Sequence, residues 1–101
     1  MMNINSLLNE LTDEQIENIK QKYLTDEIKS FINKEEYLQT INAFFECGLN
    51  VSEAAKKAFM HRNTLTYRLD KFERVTKLSL HNIENAFLVK LLIEINQYKR
   101  V

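Results

Sequence analysis

A cluster of amide, hydroxyl and basic side chains falls on a predicted helix that runs from Arg62 to about residue 75. Leu65, Leu69 and Phe72 recur at positions i, i+4 and i+7, a spacing that predicts one face anchored in a core. The polar residues near the start of this helix and along its other faces are Arg62, Asn63, Thr64, Thr66, Tyr67, Lys71 and Arg74. Such side chains recognise a partner through hydrogen bonds and charge, which is the chemistry of binding rather than of bond cleavage.

If the partner is DNA, three of these side chains are candidates for contact with a base. Asn63 lies one residue inside the helix, and its amide group can bond both N6 and N7 of adenine, so we expect it to read sequence directly. Thr66 and Tyr67 are expected to touch a thymine methyl group or the DNA backbone. Asp70 shares this outward face and would meet phosphates unfavourably.

The remaining candidates are suited to phosphate contact. Arg62 and Thr64 lie at the helix N-terminus, where backbone amides and the helix dipole favour anions. Lys71 and Arg74 follow one or two turns later and supply positive charge. Together the two groups predict a helix that is positioned by phosphates and reads bases from its first turns.

A structural interpretation competes with each of these roles. Asn63 and Thr64 would then only cap the helix, Tyr67 would pack on a neighbour, and the lysines would be solvated. For Arg68 we favour such a role, because its angle on the helix is nearer the core side; the candidate partner for an internal ion pair is Glu53. Single residues often serve the structural purpose, so the pattern matters more than any one of them.

Charge is unevenly distributed along a chain whose net charge is zero. Residues 1–49 carry a net charge of −5, residues 50–77 carry +4 and residues 78–101 carry +1. Because binding to nucleic acid depends on neutralising phosphates, only the middle segment is a candidate electrostatic footprint. The acidic N-terminal half is expected to face away from DNA.

A second, shorter helix is predicted just before the first. Gly48 is placed to end the preceding helix in the left-handed conformation, and Asn50 with Glu53 has the pattern of a new N-terminus. The residues that follow are small and allow another helix to approach closely: Ala54, Ala55 and Ala58. We expect Ala55 at the crossing point. A short helix, a tight connection and a longer helix make up a helix-turn-helix.

The connection between the two helices has one unusual residue. Most helix-turn-helix motifs have glycine in this turn, where the chain has Phe59. Met60 is expected to fill the space between the helices, with Leu65 and Leu69 as anchors beneath the second one. His61 stands at the cap position, and we favour that role for it over phosphate contact.

The rest of the chain predicts an all-α fold, a compact bundle of five to six helices. The sequence has no proline and one glycine, so the residues that make β-turns are nearly absent. Further helices are expected near residues 12–23, starting from a Thr12–Gln15 capping box, near 26–32, and from Lys34 to Gly48 with Asn33 as its start signal. The last is expected to begin at Asn82 with an apolar stripe of Phe87, Leu88, Leu91, Leu92, Ile95 and Tyr98.

The segment from Asn50 to Leu80 resembles the C-terminal helix-turn-helix domain of PucR/CdaR-type bacterial transcription regulators, and more loosely the helix pair of Fis and NtrC-type activators. The residues that carry the resemblance are Gly48, Asn50, Ala54, Ala55, the run from His61 to Leu65, and Tyr67, Arg68 and Leu69. Lys77 stands where that family commonly has glycine. The resemblance covers about residues 36–97 and implies sequence-specific binding of double-stranded DNA in transcription regulation.

This resemblance also bears on domain organisation. Such regulators normally attach the helix-turn-helix to an N-terminal sensory region for a metabolite, for which 101 residues leave no room. The chain is then a fragment or a short stand-alone protein, and the sequence leaves both open. We expect residues 1–35 to be an acidic helical segment packed on the core, and residues 36–101 to form the DNA-binding domain.

Other function classes have little support in the sequence. We expect no enzyme, cofactor or metal site, because Cys47 is alone and no acid–base pair or phosphate loop is present. No small-molecule site or membrane span is evident, so a cytoplasmic, nucleoid-associated protein is expected. The local charge is modest, which favours a homodimer on palindromic DNA. The alternative is a protein interaction module that uses the acidic half or the apolar last helix.

Overall fold

The computed structural model describes residues 3–98, so the outer ends of the two predicted segments, 1–35 and 36–101, lie outside the described residues. The described part is all-α, as predicted. Its helices are α1 (Ile4–Leu8), α2 (Asp13–Tyr23), α3 (Asp26–Ile32), α4 (Glu35–Glu46), α5 (Val51–Lys57), α6 (Arg62–Thr76) and α7 (Ile83–Gln97). Residues 3–98 therefore hold seven helices where five to six were expected.

The additional helix is α1, whose five residues are too few to be stable alone. Asn3 caps it by accepting a hydrogen bond from the Ser6 amide at 2.9 Å. Leu8 is 2% exposed and joins Ile16 and Ile95 in a small apolar cluster. Tertiary packing on α7 thus stabilises a helix that is too short to show an apolar periodicity in the sequence.

Local capping signals set most of the other helix starts. The Thr12 hydroxyl accepts from the Gln15 amide at 3.0 Å while the Gln15 side chain accepts from the Thr12 amide at 2.9 Å, which confirms the capping box. Thr25 caps α3 in a similar way. Each such cap contributes about 1 kcal/mol to helix stability.

The predicted start signal at Asn33 is wrong. Lys34 is the N-cap of α4 and makes no side-chain cap hydrogen bond. Asn33 instead ends α3, and its side-chain oxygen accepts from the Asn96 amide group of α7 at 2.9 Å. Glu35 in the first turn of α4 supplies negative charge that the helix dipole favours, so the helix begins without a side-chain cap.

The main core lies where α3, α4, α5, α6 and α7 meet. Phe44, Leu65 and Phe72 are each 0% exposed there, and the Phe31 ring contacts the Phe72 ring edge-on with centroids 5.2 Å apart. Helix α6 packs on α3, α4 and α5, whereas α7 packs on α1, α2 and α4. The two longest helices therefore have mostly different main neighbours, and both pack on α4.

The apolar stripe of α7, expected to be core or a dimer contact, is buried only in part. Leu92 and Ile95 are buried as expected, but Phe87 is 64% exposed. The helix turns Ala86, Val89 and Ile93 inward instead. Phe87 lies about 160° around the helix from Val89, so it points away from the core that Val89 enters.

Candidate nucleic-acid interface

Helices α5 and α6 form the helix-turn-helix. Asn50 caps α5 by accepting from the Glu53 amide at 2.9 Å, as predicted. Ala54 and Ala55 are 0% and 6% exposed, so these small side chains are buried where the helices meet. The α5 helix ends at Lys57 and α6 begins at Arg62, which leaves four residues for the connection.

The connection between α5 and α6 contains a left-handed backbone conformation, which glycine usually adopts in such a turn. Phe59 has a φ of 54° and its side chain is 96% exposed. The Met60 amide returns to the Ala55 carbonyl at 3.0 Å and closes the turn. A non-glycine residue in this region is strained by about 1–2 kcal/mol. The turn is therefore closed despite the missing glycine, at a local cost in stability.

His61 is the N-cap of α6, as favoured from the sequence. Its Nδ1 accepts a hydrogen bond from the Asn63 amide at 3.1 Å. The ring thus satisfies one backbone donor at the end of α6 where the candidate contact residues are concentrated. The helix continues for 15 residues and ends at Lys77, which adopts a left-handed φ of 66°.

The inward face of α6 is apolar and tightly held. Leu65, Leu69 and Phe72 are 0%, 3% and 0% exposed, which confirms the predicted anchor. Two of them come from the first half of the helix, so the turns that carry Asn63 and Tyr67 are fixed against the core. Rigid support of this kind is what a binding residue needs to meet its partner in one orientation.

The outward face of α6 is polar and open. Arg62, Asn63, Thr64, Thr66, Tyr67, Asp70 and Arg74 are exposed, and Lys71 is half-buried. No described residue forms an ion pair with Arg62, Lys71 or Arg74. The seven residues predicted from the sequence therefore lie on the solvent-accessible sides of α6, which we call the α6 outer face. Asp70 interrupts its positive charge.

The Arg68 side chain bonds within the protein, as favoured from the sequence, but the predicted partner, Glu53, is wrong. Its Nη1 donates to the Thr40 hydroxyl at 3.0 Å and to the Glu36 carbonyl oxygen at 3.3 Å. Glu53 instead lies 3.8 Å from Lys56, one turn along the same helix. The angle of Arg68 on the helix predicts the side on which it lies, but which neighbouring helix it meets depends on tertiary packing.

Thr40 is the residue that sequence reasoning missed. It is the buried polar side chain of the described core, at 0% exposed, and its hydroxyl donates to the Glu36 carbonyl at 2.7 Å while accepting from Arg68. The Met60 sulfur lies 3.8 Å from the same hydroxyl. Thr40 therefore ties α6 and the turn to α4. Its position among Tyr37, Ile41 and Phe44 was the available signal.

The basic residues of the middle segment divide into two groups. Lys56, Lys57 and Arg68 have acceptors within the protein. Glu46 lies 3.0 Å from Lys57, and its hydrogen bond and charge raise the pKa of that amine above the ordinary value. The group without a described acceptor holds Arg62, Lys71, Arg74 and Lys77.

No cluster of three or more potential metal ligands is found among residues 3–98. None of their helices combines the length and hydrophobicity needed to cross a bilayer. Cys47 is a free, half-buried thiol at the end of α4.

Comparison with known proteins covers the same part of the chain. Residues 37–95 match the family described as the PucR C-terminal helix-turn-helix domain, close to the 36–97 expected from the sequence. The purine catabolism regulatory protein of Bacillus subtilis is 29% identical, over 81% of this chain and 16% of its own length. No solved structure matches significantly.

Two further relatives are transcription regulators by name. The DNA-binding transcriptional activator AdeR of Bacillus subtilis is 33% identical, over 57% of this chain and 14% of its own length. The carbohydrate diacid regulator of Escherichia coli is 29% identical, over 69% of this chain and 18% of its own length. The chain thus spans less than a fifth of each of these three relatives, and it belongs to the PucR C-terminal helix-turn-helix domain family.

Proposed function

We propose that this chain binds double-stranded DNA sequence-specifically, with α6 in the major groove, as the DNA-binding part of a bacterial transcription regulator. The observation that carries the proposal is the α6 outer face, where hydrogen-bonding and basic side chains without described ion-pair partners lie opposite a fully buried anchor. A helix of this kind fits the major groove, which is about 12 Å wide. The regulators to which the chain is similar support the transcriptional role.

Asn63 is the proposed base reader. It lies in the first turn of α6, where recognition helices usually meet base edges, and its side chain is exposed. Thr66 and Tyr67 lie beside it and contact a thymine methyl group or the backbone. The His61 ring accepts a hydrogen bond from the backbone amide of Asn63, so the proposed base-reading side chain lies at a capped helix end.

Phosphates are the proposed partners of Arg62 and Thr64 at the start of α6 and of Lys71 and Arg74 farther along. These contacts position the helix without reading sequence. Because the segment carries a net charge of only +4 and Arg68 is bonded within the protein, one copy neutralises only a few phosphates. Binding by a single copy is therefore weak, which supports a homodimer on two half-sites about 34–36 Å apart.

The two predicted segments have different roles in this proposal. Residues 36–101 carry the DNA-binding domain, and residues 1–35 form an acidic support that faces away from DNA. Within that support, α3 contacts α6 from the protein side and α1 and α2 pack on α7. Binding to DNA would hold such a regulator at the nucleoid in the cytoplasm.

A salt titration tests the proposal. We expect the affinity for random duplex DNA to fall linearly on a log–log plot against salt, with a slope of about −0.9 per phosphate neutralised. Arg62→Ala with Lys71→Ala should reduce the magnitude of the slope by about 2. The matched control, Lys22→Ala with Lys29→Ala, removes two exposed lysines from α2 and α3 and should leave the slope unchanged.

The same titration separates the proposal from its alternative. A chain that binds no duplex even at low salt would contradict DNA binding and favour a protein interaction module on the same scaffold. A slope that responds to the control pair but not to Arg62 and Lys71 would move the interface away from α6. Circular dichroism of each variant verifies that the fold is retained.

A further inference from the structure

An apolar stripe on α7 is covered at one end and open at the other. Ile83, Phe87, Leu91 and Ile95 follow one another at four-residue intervals, so they share one side of the helix. The C-terminal pair packs with residues of α1 and α2 such as Leu8. The N-terminal pair lacks that cover, and Ile83 and Phe87 are 75% and 64% exposed.

A groove runs beside the open end of this stripe. It has a volume of about 420 Å³ and lies between α7, the end of α4 and the turn after α4. Most of its wall is apolar, with one acidic and one basic residue at its edge. The lining residues that matter are Phe45, Glu46, Leu49, Ile83, Phe87 and Lys90.

We propose that a second copy of this chain docks here, each copy inserting its Ile83–Phe87 ridge into the groove of the other. A two-fold dimer requires a surface that is complementary to itself, with a projection and a recess on the same face. The α7 ridge and the adjoining groove satisfy that requirement. The inference deepens the proposed function, since it rests on the homodimer suggested there and identifies its contact surface.

Charge complementarity favours a second copy over another apolar partner. Lys90 follows Phe87 by three residues and therefore continues the ridge, and Glu46, at the end of α4, also lines the groove. A ridge inserted into the groove of another copy brings its Lys90 towards Glu46 of that copy, and the two-fold axis repeats the contact. Within one copy these groups already pair with Glu94 at 3.1 Å and Lys57 at 3.0 Å, so docking extends two existing pairs into networks.

The docking surface is separate from the α6 outer face. The lining residues belong to α4, the following turn and α7, and α6 contributes none. The mostly apolar lining of the groove, with one acidic and one basic residue, is also unsuited to phosphate. Two copies joined at this surface keep both α6 outer faces available for DNA.

Sedimentation equilibrium of the 101-residue chain without DNA tests the inference. We expect a monomer–dimer equilibrium in which Phe87→Asp raises the dissociation constant at least about 30-fold, the size expected for a central interface residue. Tyr23→Asp is the matched control, because Tyr23 is also an exposed aromatic residue, at 51%, but lies on α2. A dimer that survives Phe87→Asp, or that Tyr23→Asp dissociates, overturns the proposed surface. So does a chain that stays monomeric up to about 1 mM.

Charge reversal provides a second test that does not depend on apolar packing. Glu46→Lys and Lys90→Glu should each weaken self-association about fivefold, because each homodimer then faces like charges twice. An equimolar mixture of the two variants should regain association as a heterodimer, in which both contacts are again of opposite sign. A mixture that associates no better than either variant alone contradicts the docking geometry.

The DNA experiment distinguishes failure of this inference from failure of the proposed function. If the surface is right, Phe87→Asp keeps its affinity for a single half-site and the salt slope per copy, and loses only the added affinity for a two-half-site duplex. If the chain binds no DNA, the proposed function fails, but sedimentation still tests the docking surface because that experiment uses no DNA.

Discussion

Helices α6 and α7 have the same length, 15 residues, yet their outer surfaces are opposite in character. Helix α6 buries three apolar side chains and turns amide, hydroxyl and basic groups to solvent. Helix α7 buries five and still exposes Ile83 and Phe87. Both helices are anchored in one core, so the fold alone does not distinguish them. The two helices differ in the residues left outside the core. These residues are the basis for proposing a polar, anionic partner for α6 and an apolar partner for α7.

The largest expected effect concerns the difference between anchored and open residues on these helices. Leu65→Ala should lower the free energy of unfolding by about 3–5 kcal/mol, because Leu65 is 0% exposed and its loss leaves a cavity. Phe87→Ala, on a side chain that is 64% exposed, should change it by less than about 0.5 kcal/mol at dilute monomer concentrations. Urea unfolding measures both. Similar costs for the two variants would contradict the assignment of Phe87 to an open surface.

The next effect sharpens the role of the α6 outer face. Asn63→Ala should weaken binding to the preferred duplex by about 1–3 kcal/mol and relax base preference at one position, while binding to random duplex hardly changes. Asn18→Ala, an exposed asparagine on α2, serves as the control. Competition between selected and random duplexes gives the measurement. An equal loss on both duplexes would make Asn63 a backbone contact rather than a reader.

A third prediction concerns what holds α6 at its angle. Thr40→Val keeps the shape of the side chain but removes one of the two acceptors of Arg68, and should cost about 1–3 kcal/mol of stability because a half-buried charged donor loses a partner. Affinity for DNA should fall as well, since the α6 outer face is then less firmly oriented. Ser30→Ala removes an exposed hydroxyl–carbonyl bond of 2.7 Å and should cost less than about 0.5 kcal/mol. Equal losses would show that the Thr40 network does not position α6.

The smallest effect is a gain in stability at either end of α6. Phe59→Gly and Lys77→Gly place glycine at φ values of 54° and 66° and should each stabilise the protein by up to about 1 kcal/mol, a rise of about 4–8 °C in Tm at most. Thermal unfolding followed by circular dichroism measures the change. Phe59→Ala keeps the strained φ and should give no gain. The Phe59 side chain is 96% exposed and is expected to make no stabilising contact within the chain. A lower Tm for Phe59→Gly would contradict this expectation.

Features encoded by a few neighbouring residues were predictable from the sequence. The caps at Thr12, Asn50, His61 and Asn82 rest on hydrogen bonds that reach two or three residues along the chain, so a short pattern suffices. The buried face of α6 follows from helical spacing in the same way.

Features that depend on packing between distant segments were not predictable. Asn33 bonds to Asn96, and Arg68 reaches across to Thr40, so neither partner is visible in a local pattern. Which residues of the α7 stripe are buried could not be predicted, because that helix is apolar on several sides and its neighbours decide which side is buried. The roles of individual α6 residues remain predictions for the same reason: they depend on a partner molecule.

An NMR titration of the ¹⁵N-labelled chain with its preferred duplex tests the central claim most directly, because it reports on α6 and α7 in one experiment. We predict that, on a duplex reduced to one half-site, amide shift changes concentrate from Arg62 to Arg74, while the residues around Ile83 and Phe87 respond to protein concentration instead of to DNA. Shift changes centred on Ile83–Lys90 on adding duplex, with the α6 outer face unaffected, would contradict the account.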